Sequence, residues 1–389
     1  MRDARIAAMI PFNRPHLTGR EFAYIDEAIH GGQLSGNGRF TRRCHALLER
    51  QLGARRVLLT HSCTAALEMA ALLLDLAPGD EIILPSYTFV STANAFVLRD
   101  AVPVFVDIRP ETMNLDERLI EAAITSRTKA IVAVHYGGVA CDMDRVMDIA
   151  ARHGLAVVED AAQALGATYK GRPLGSIGQL GALSFHETKN VISGEGGALI
   201  VNDDRFSARA EILWEKGTNR SGFFRGEVEK YTWVDVGSSF LPSEVTAAFL
   251  LAQLEDADAI LRRRLQLWDR YYTLFGDPSL AVLDIGRPHV PAGCRHNAHM
   301  FYVLLPEGID RPALLRAMNE RGVNTVFHYV PLHSSPAGRR FGRTSGDLAV
   351  TDRLSARLIR LPLWADMADA DQDLVVEVFA SSLAAAPSR

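Results

Sequence analysis

Ser184-Phe185-His186-Glu187-Thr188-Lys189-Asn190 ends an apolar run and leads into a glycine-rich turn, Ser193-Gly194-Glu195-Gly196-Gly197. This order places Lys189 on a turn at the carboxyl end of a buried strand. One strand earlier, Val157-Val158-Glu159-Asp160-Ala161-Ala162-Gln163 is a second apolar run that ends in two acids. Working outward, short β-rich runs recur at Arg56–Thr60, Glu81–Leu84, Pro103–Asp107, Ala130–His135, Ala156–Glu159, Ala182–His186 and Gly197–Val201. Helical patterns lie between them at Thr64–Leu74, Ser91–Leu98, Asp116–Thr125 and Asp142–His153, the last stopped by Gly154. Strands alternating with helices predict an α/β fold with a mostly parallel sheet covered by helices. In such sheets ligands sit beyond the carboxyl ends of the strands, where Asp160 and Lys189 are expected.

From Ser243 to Phe275 the pattern predicts one long helix closed by Gly276, with a polar middle at Arg262-Arg263-Arg264. A smaller α/β pattern follows. It has strand-like Met300–Leu305 and Val323–Tyr329, and helices over Arg311–Arg321 and Asp371–Leu383. The expected boundary falls inside the long helix, giving a large unit over 1–255 and a smaller one over 256–389.

The composition narrows the function. The 389 residues are 48% hydrophobic and 23% charged, enough apolar content for a packed core. The net charge of −4 lacks the basic footprint of a nucleic-acid binder. Cys44, Cys63, Cys141 and Cys294 are far apart and form no CxxC, which argues against a zinc site or disulfide framework and suits a reducing cytoplasm. The apolar run Ile6–Ile10 is too short for a signal-peptide core or a membrane span. Only five lysines occur, Lys129, Lys170, Lys189, Lys216 and Lys230, against 37 arginines. A lysine can therefore mark chemistry that arginine cannot perform, although genomic codon bias produces the same imbalance.

That chemistry is imine formation: an amine at a strand end can condense with an aldehyde cofactor, whereas a guanidinium stays protonated. A lone lysine on a loop is more often a solvated surface residue, and a lone strand-end acid more often a helix cap. The pair is informative because pyridoxal phosphate needs both an amine and a carboxylate that keeps its ring nitrogen protonated. His61-Ser62-Cys63-Thr64 is a small-residue turn opening a helix, suited either to a phosphate or to ordinary capping. Pro85-Ser86-Tyr87-Thr88-Phe89 offers an aromatic for stacking or for the core. No GxGxxG between strand and helix and no GxxxxGK[ST] is present, which weakens dehydrogenase and P-loop readings. His328 and His333 lack a third ligand at a metal-site spacing, so no metal is expected and polar substrate contacts are preferred.

Taken in order, the Ser62-Cys63-Thr64 turn, Tyr87 to Asn94, Glu159 to Gln163, Ser184 to Lys189 and His328 to His333 resemble the DegT/DnrJ-type nucleotide-sugar aminotransferases. The resemblance covers nearly the whole chain and implies fold type I of the pyridoxal-phosphate enzymes, the aspartate-aminotransferase-like fold. It implies that Lys189 bonds the cofactor and Asp160 pairs with its ring nitrogen. It places Gln163 near the phenolic oxygen, Phe89 on the ring face, and Cys63, Thr64 and Ser184 at the phosphate. Ser239 stands where the family usually has an asparagine that reaches the partner subunit's phosphate, so a homodimer with shared sites is implied. The substrates implied are L-glutamate and a nucleotide keto sugar.

Within the family, Phe185 to Asn190, Glu215 to Arg220 and Lys230 to Trp233 look like the dTDP-4-amino-4,6-dideoxygalactose transaminases, which implies dTDP-4-keto-6-deoxyglucose as acceptor. His186, His328, Tyr329 and His333 are candidates for the sugar side of the pocket. Arg220, Arg225 and Lys230 are candidates for the diphosphate, with a solvated surface role equally open to each. Other readings are an aminotransferase acting on a different nucleotide keto sugar at C3 or C4, a sugar dehydratase on the same fold, and a non-catalytic sensor. The dehydratase branch typically carries histidine at the lysine position, and a sensor needs no imine.

Overall fold

The computed structural model describes residues 9–385, so residues 6–8 of the apolar run Ile6–Ile10 lie outside the described residues. The strands are β1 (Arg56–Thr60), β2 (Glu81–Pro85), β3 (Val102–Val106), β4 (Thr128–Val134), β5 (Ala156–Asp160), β6 (Thr168–Tyr169), β7 (Arg172–Pro173), β8 (Leu180–Ser184), β9 (Gly197–Val201), β10 (Cys294–Arg295), β11 (Phe301–Leu304), β12 (Arg343–Thr344) and β13 (Leu358–Leu361). Eight of them form one sheet in the order β1-β9-β8-β5-β4-β2-β3-β12. From β8 to β12 every neighbouring pair is parallel; β9 alone runs against its neighbours β1 and β8. This is the mostly parallel α/β sheet of fold type I.

Both faces of the sheet are covered, which explains why its strands read as continuous apolar runs. On one face, Leu59, Ile83, Ile131, Val157, Leu183 and Ile200 pack against the helices Arg39–Leu52, Met143–His153 and Glu244–Glu255. On the other, Leu58, Ile82, Val132, Val158, Ala182 and Leu199 pack against the helices Cys63–Leu73 and Asp204–Trp214. Successive residues of one strand thus serve opposite cores, as the pleat requires. Ile10, Leu267, Tyr271, Phe301, Ile359, Leu361 and Phe379 belong to a separate core around the two-stranded sheet β11–β13.

Three local expectations change. The single helix over Ser243–Phe275 is two helices, Glu244–Glu255 and Ala257–Leu274, divided at Asp256 (φ −109°, ψ 7°). Its halves bury different faces, Leu250 and Leu254 under the sheet and Leu267 and Tyr271 in the separate core. Periodicity alone does not show such a change of axis. The expected strand Val323–Tyr329 makes only isolated bridges, because Val323 pairs with Ile10 while Val326 pairs with Arg360. The strand expected over Ala182–His186 ends at Ser184, where Phe185 turns to bond Gly196 and Ser193. Among the described residues, no helix is long and apolar enough to cross a membrane.

Glu81 ties the far edge of the sheet together. Its buried carboxylate accepts hydrogen bonds from Arg343 of β12 at 3.0 and 2.8 Å, from Arg127 at 2.9 Å and from the Thr125 hydroxyl at 2.7 Å. The hydrogen bonds from Arg343 lead the causes that hold its pKa down at about 2, against an ordinary 4.5. Because the folded-state value is the lower one, this stabilisation is present above pH 4.5 and is lost as the pH falls toward 2. Glu81→Gln is expected to lower stability at pH 7 by about 2–3 kcal/mol and to flatten the acid limb of a Tm-against-pH profile; an unchanged acid limb removes Glu81 from that role.

Candidate active site

The carboxyl ends of β1, β2, β4, β5 and β8 open on one cavity of about 550 Å³. Its wall contains Lys189, Asp160, Cys63, Thr64, Phe89, Gln163, Ser184, His186, His328 and Tyr329, ten of the residues singled out from the sequence. Lys189 sits on the turn after β8, its N–H bonded to the carbonyl of His186 at 2.8 Å. Desolvation in the cavity wall is the leading influence on its amine and lowers its pKa from the ordinary lysine value; the charge of Arg360 pushes the same way. A lysine with a lowered pKa supplies neutral amine at lower pH than a solvated one.

Asp160 is the last residue of β5 and is buried. Its carboxylate accepts the Thr92 hydroxyl at 2.7 Å and the Ala162 N–H at 3.2 Å. Thr92 is itself linked to Thr88 at 2.7 Å, so a short hydroxyl chain from the helix Val90–Val97 orients the acid. Gln163 is braced from both sides: its carbonyl accepts the Gly137 N–H at 2.6 Å and its amide donates to the Tyr329 hydroxyl at 3.0 Å.

At the opposite wall two helix N-termini converge. Ser62 caps the helix Cys63–Leu73 by accepting the N–H of Ala65 at 3.1 Å, and the hydroxyls of Thr64 and Ser91 meet at 2.7 Å. The N–H groups of Cys63 and Thr64 belong to the first turn and have no intrahelical acceptor, which makes a cradle for an anion. Gly197 explains the glycine-rich approach to β9: a Cβ there would lie 2.4 Å from the N of Cys63. Phe89 is 56% exposed at the cavity wall.

An amine, a buried carboxylate, a bare aromatic face and an anion cradle are the four contacts that pyridoxal phosphate requires of a protein, so the donor set fits this cofactor. Lys189 and Asp160 can hold the aldehyde carbon and the ring nitrogen, Phe89 the ring face, and Cys63, Thr64 and Ser184 the phosphate.

The known proteins bear on the same point. The sequence pattern of the DegT/DnrJ/EryC1/StrS aminotransferase family matches residues 15–380. The chain belongs to that family. It is a pyridoxal-phosphate-dependent sugar aminotransferase. The aminotransferase is 35% identical over 377 residues to the spore coat polysaccharide biosynthesis protein SpsC of Bacillus subtilis, covering 95% of each chain. It is 34% identical over 368 residues to the GDP-perosamine synthase of Caulobacter vibrioides, covering 93% of this chain and 95% of that one. The crystal structure of the aminotransferase TlmJ from Streptoalloteichus hindustanus superposes with a TM-score of 0.88 at 31% identity, covering 97% and 99% of the two chains.

Five expected site residues do not join this cavity; among them Arg225 is paired with Glu211 and Glu227 and lines a different cavity. Ser239 is exposed in a stretch bridged to Glu215, so one chain does not bring it to its own phosphate cradle. Arg220 is exposed, stacks on Phe224 at 5.3 Å and lines a different cavity beside Arg42 and Arg56. Lys230 is exposed on the same loop region. His333 is engaged at both ring nitrogens, by the Ser86 hydroxyl at 2.7 Å and by Asp352 at 3.4 Å, which leaves it none for a sugar. Sequence reasoning missed Thr92, His299 and Arg360, all in the cavity wall. Thr92 and His299 carry no local signal. Arg360 interrupts the apolar run Leu358-Ile359-Arg360-Leu361-Pro362-Leu363, and that interruption is a readable anomaly.

Thr92→Val keeps the shape of the side chain but removes the hydrogen bond to Asp160. The aminotransferase variant is expected to bind pyridoxal phosphate about 10-fold more weakly, measured by fluorescence titration of the apo protein; unchanged affinity would show that Thr92 does not support the carboxylate.

Proposed function

We propose that the enzyme transfers the amino group of L-glutamate to C4 of dTDP-4-keto-6-deoxy-D-glucose, giving dTDP-4-amino-4,6-dideoxy-D-galactose. The observation that carries the chemistry is Lys189 and Asp160 at neighbouring strand ends in one cavity, with the anion cradle and Phe89 facing the same space. The choice of acceptor rests on the motifs Phe185 to Asn190, Glu215 to Arg220 and Lys230 to Trp233. A GDP-linked keto sugar is the competing acceptor, suggested by the GDP-perosamine synthase among the relatives.

Bound pyridoxal phosphate supplies an aldehyde for the donor's amine and a cationic ring that delocalises charge from the carbon losing its proton. The side chains do the rest. Lys189 Nζ would hold the aldehyde carbon of the resting cofactor. When not so bonded, the Lys189 amine would take the proton from Cα of glutamate, and desolvation favours its neutral form for that task. The Asp160 carboxylate, oriented by Thr92, would hold the ring nitrogen and supply the negative charge that keeps it protonated. Gln163 and Tyr329, bonded to each other, form part of the cavity wall. In the second half the same amine returns a proton to C4 of the sugar.

The proposal includes a cytoplasmic homodimer. Phe224, Tyr231, Trp233, Val234 and Val236 are exposed close to Ser239 in sequence, an apolar surface suited to a second copy whose phosphate cradle Ser239 would reach. It also divides the chain into a cofactor-holding unit, 1–255, and a smaller unit, 256–389. The helix break at Asp256 supports the division, and the smaller unit contributes His299, His328, Tyr329 and Arg360 to the cavity.

The deciding experiment incubates the purified protein with L-glutamate and dTDP- and GDP-linked 4-keto-6-deoxy sugars, and assigns the product by NMR. The C4 amino sugar of the galacto series on dTDP is expected; amination of the GDP sugar alone overturns the acceptor assignment. Lys189→Arg is expected to keep its circular dichroism spectrum, lose the yellow colour of the bound cofactor, and fall in kcat by at least ~10²–10⁴-fold. Turnover at the wild-type rate would remove Lys189 from the mechanism.

A further inference from the structure

His299 is set in the cavity wall by a strained and heavily braced backbone. Ala298, the residue before it, has φ 52°, a left-handed conformation that alanine rarely adopts. Such a conformation costs free energy and persists only where its surroundings fix it. Here they do. The Ala298 N–H donates to the ring of His296 at 3.1 Å, and the His299 N–H donates to the Asn297 amide oxygen at 3.1 Å. Buried Arg264 donates to the carbonyls of Ala298 and His299 at 3.1 and 2.8 Å. Asn297 is anchored in turn by its own amide, which donates to the carbonyls of Gln163 and Leu165 at 2.8 and 2.9 Å. The imidazole held by this frame lines the cavity. It also shares a narrow recess of about 10 Å³ with Lys189, Ser184 and Asn190.

The tautomer of this ring follows from its neighbours. Asn190, next to Lys189 in the chain, donates through Nδ2 to the carbonyl of Asn297 at 2.7 Å. Its oxygen is therefore the end that meets His299 Nδ1 at 3.3 Å. An amide oxygen only accepts, so Nδ1 carries the proton and Nε2 the lone pair. The ring stays neutral, because desolvation holds its pKa well below the ordinary histidine value and Lys189, Arg360, Arg264 and His328 push the same way. Among the described residues, none donates to Nε2. The sealed side-chain atoms without a partner lie elsewhere, on Gln253, Arg270, Arg360 and Gln372. Nε2 is thus not sealed, and it opens on the space that His299 lines together with Lys189.

We infer that His299 is a positioning residue whose Nε2 lone pair accepts a hydrogen bond from the protonated Lys189 amine, an inference that rests on the reading of Lys189 as the proton carrier. On taking a proton the amine becomes a cation in a desolvated wall, and a cation there needs an acceptor. The other wall groups are committed or unsuited. Asp160 is bonded to Thr92 and Ala162, and Gln163 to Gly137 and Tyr329. Burial keeps Cys63 a neutral thiol, and Arg360 carries the wrong charge. His328 meets the Tyr136 hydroxyl at 3.2 Å, a group that can donate or accept, so nothing fixes its tautomer. A neutral ring with a fixed lone pair suits the task. It stabilises the ammonium without a full negative charge that would retain the proton, and no bond is made or broken at His299 itself.

NMR of wild-type protein labelled with ¹⁵N-histidine tests the tautomer directly. His299, assigned by its absence from the spectrum of His299→Gln, is expected to be neutral near pH 7 with its proton on Nδ1; a proton on Nε2 overturns the inference. Two substitutions test the acceptor. His299→Asn keeps an amide N–H for Asn190 but has no atom at the Nε2 position, whereas His299→Gln reaches that position with an amide oxygen. Competitive labelling of the apo protein with acetic anhydride over a pH series gives the pH at which Lys189 is half reactive, with the other four lysines as internal references. That pH is expected to fall by about one unit in His299→Asn and to stay near the wild-type value in His299→Gln. Asp160, Cys63 and Arg360 also act on the amine, but they are common to the three proteins and cancel in the comparison. With the cofactor bound, glutamate should bleach His299→Asn about 10-fold more slowly, with a larger isotope effect for α-deuterated glutamate. The half-bleaching concentration should stay within about threefold of wild type. An unchanged half-reactive pH in His299→Asn, or an equal fall in His299→Gln, overturns the inference and leaves His299 a packing residue. Borohydride reduction that fixes the cofactor to a peptide without Lys189 would overturn the reading of Lys189 and this inference with it, an outcome distinct from a Lys189 adduct whose titration ignores His299.

Discussion

The geometry of the site depends on a buried carboxylate that never enters it. Glu159 is fully buried and accepts the N–H groups of Gly175, Ile177 and Gly178 at 2.8, 2.5 and 2.6 Å, while His135 pairs with it at 2.8 Å. Burial pushes its pKa up, but His135 and the glycine N–H groups outweigh that and leave it below the ordinary value. The anion is thus held in place from the loop before β8 and from the end of β4. Strand β5 lies between those two strands, so this one side chain ties three neighbours at the end that carries the chemistry. Pleating then points the next residue, Asp160, to the other side, into the cavity.

The cavity joins two chemically different halves. The carboxyl ends of the parallel strands bring an amine on the turn after β8, an acid at the end of β5 and free helix N–H groups after β1. These rest on fully buried strands and on short hydrogen bonds, which suits groups that must not move during proton transfer. The smaller α/β region brings His299, His328, Tyr329 and Arg360, attached through isolated bridges and one two-stranded sheet. Aromatic contacts link the halves, with Tyr329 near Phe89 at 6.2 Å and near Tyr87 at 5.7 Å.

Much of this was readable before any coordinates, and what failed did so for identifiable reasons. The strand-end positions of Asp160 and Lys189 were legible because buried parallel strands are apolar throughout and stop at the first polar residue. The turn that opens the helix Cys63–Leu73 was legible because capping places small hydroxyl residues before a helix, here Ser62. His333 was misplaced because adjacency in sequence to His328 says nothing about which partner captures each ring, and Ser86 with Asp352 captured this one. The long helix over Ser243–Phe275 was misread because a continuous periodic pattern is compatible with a change of axis at Asp256.

The amino-acid sequence by itself determined the order of the elements, the alternating α/β architecture and the family, and it set a lysine and a pair of adjacent acids at neighbouring strand ends. These are local or near-local properties, written in hydrophobic period and in residue chemistry at strand ends. Only the tertiary structure decided which of the two adjacent acids, Glu159 or Asp160, faces the cavity, since both stand at the same strand end and only the packing of β4 and β8 assigns their sides. It likewise placed Arg360, from a strand about 170 residues further along the chain, in the same cavity wall as Lys189. Long-range packing creates that juxtaposition, and no spacing within a single chain segment can record it.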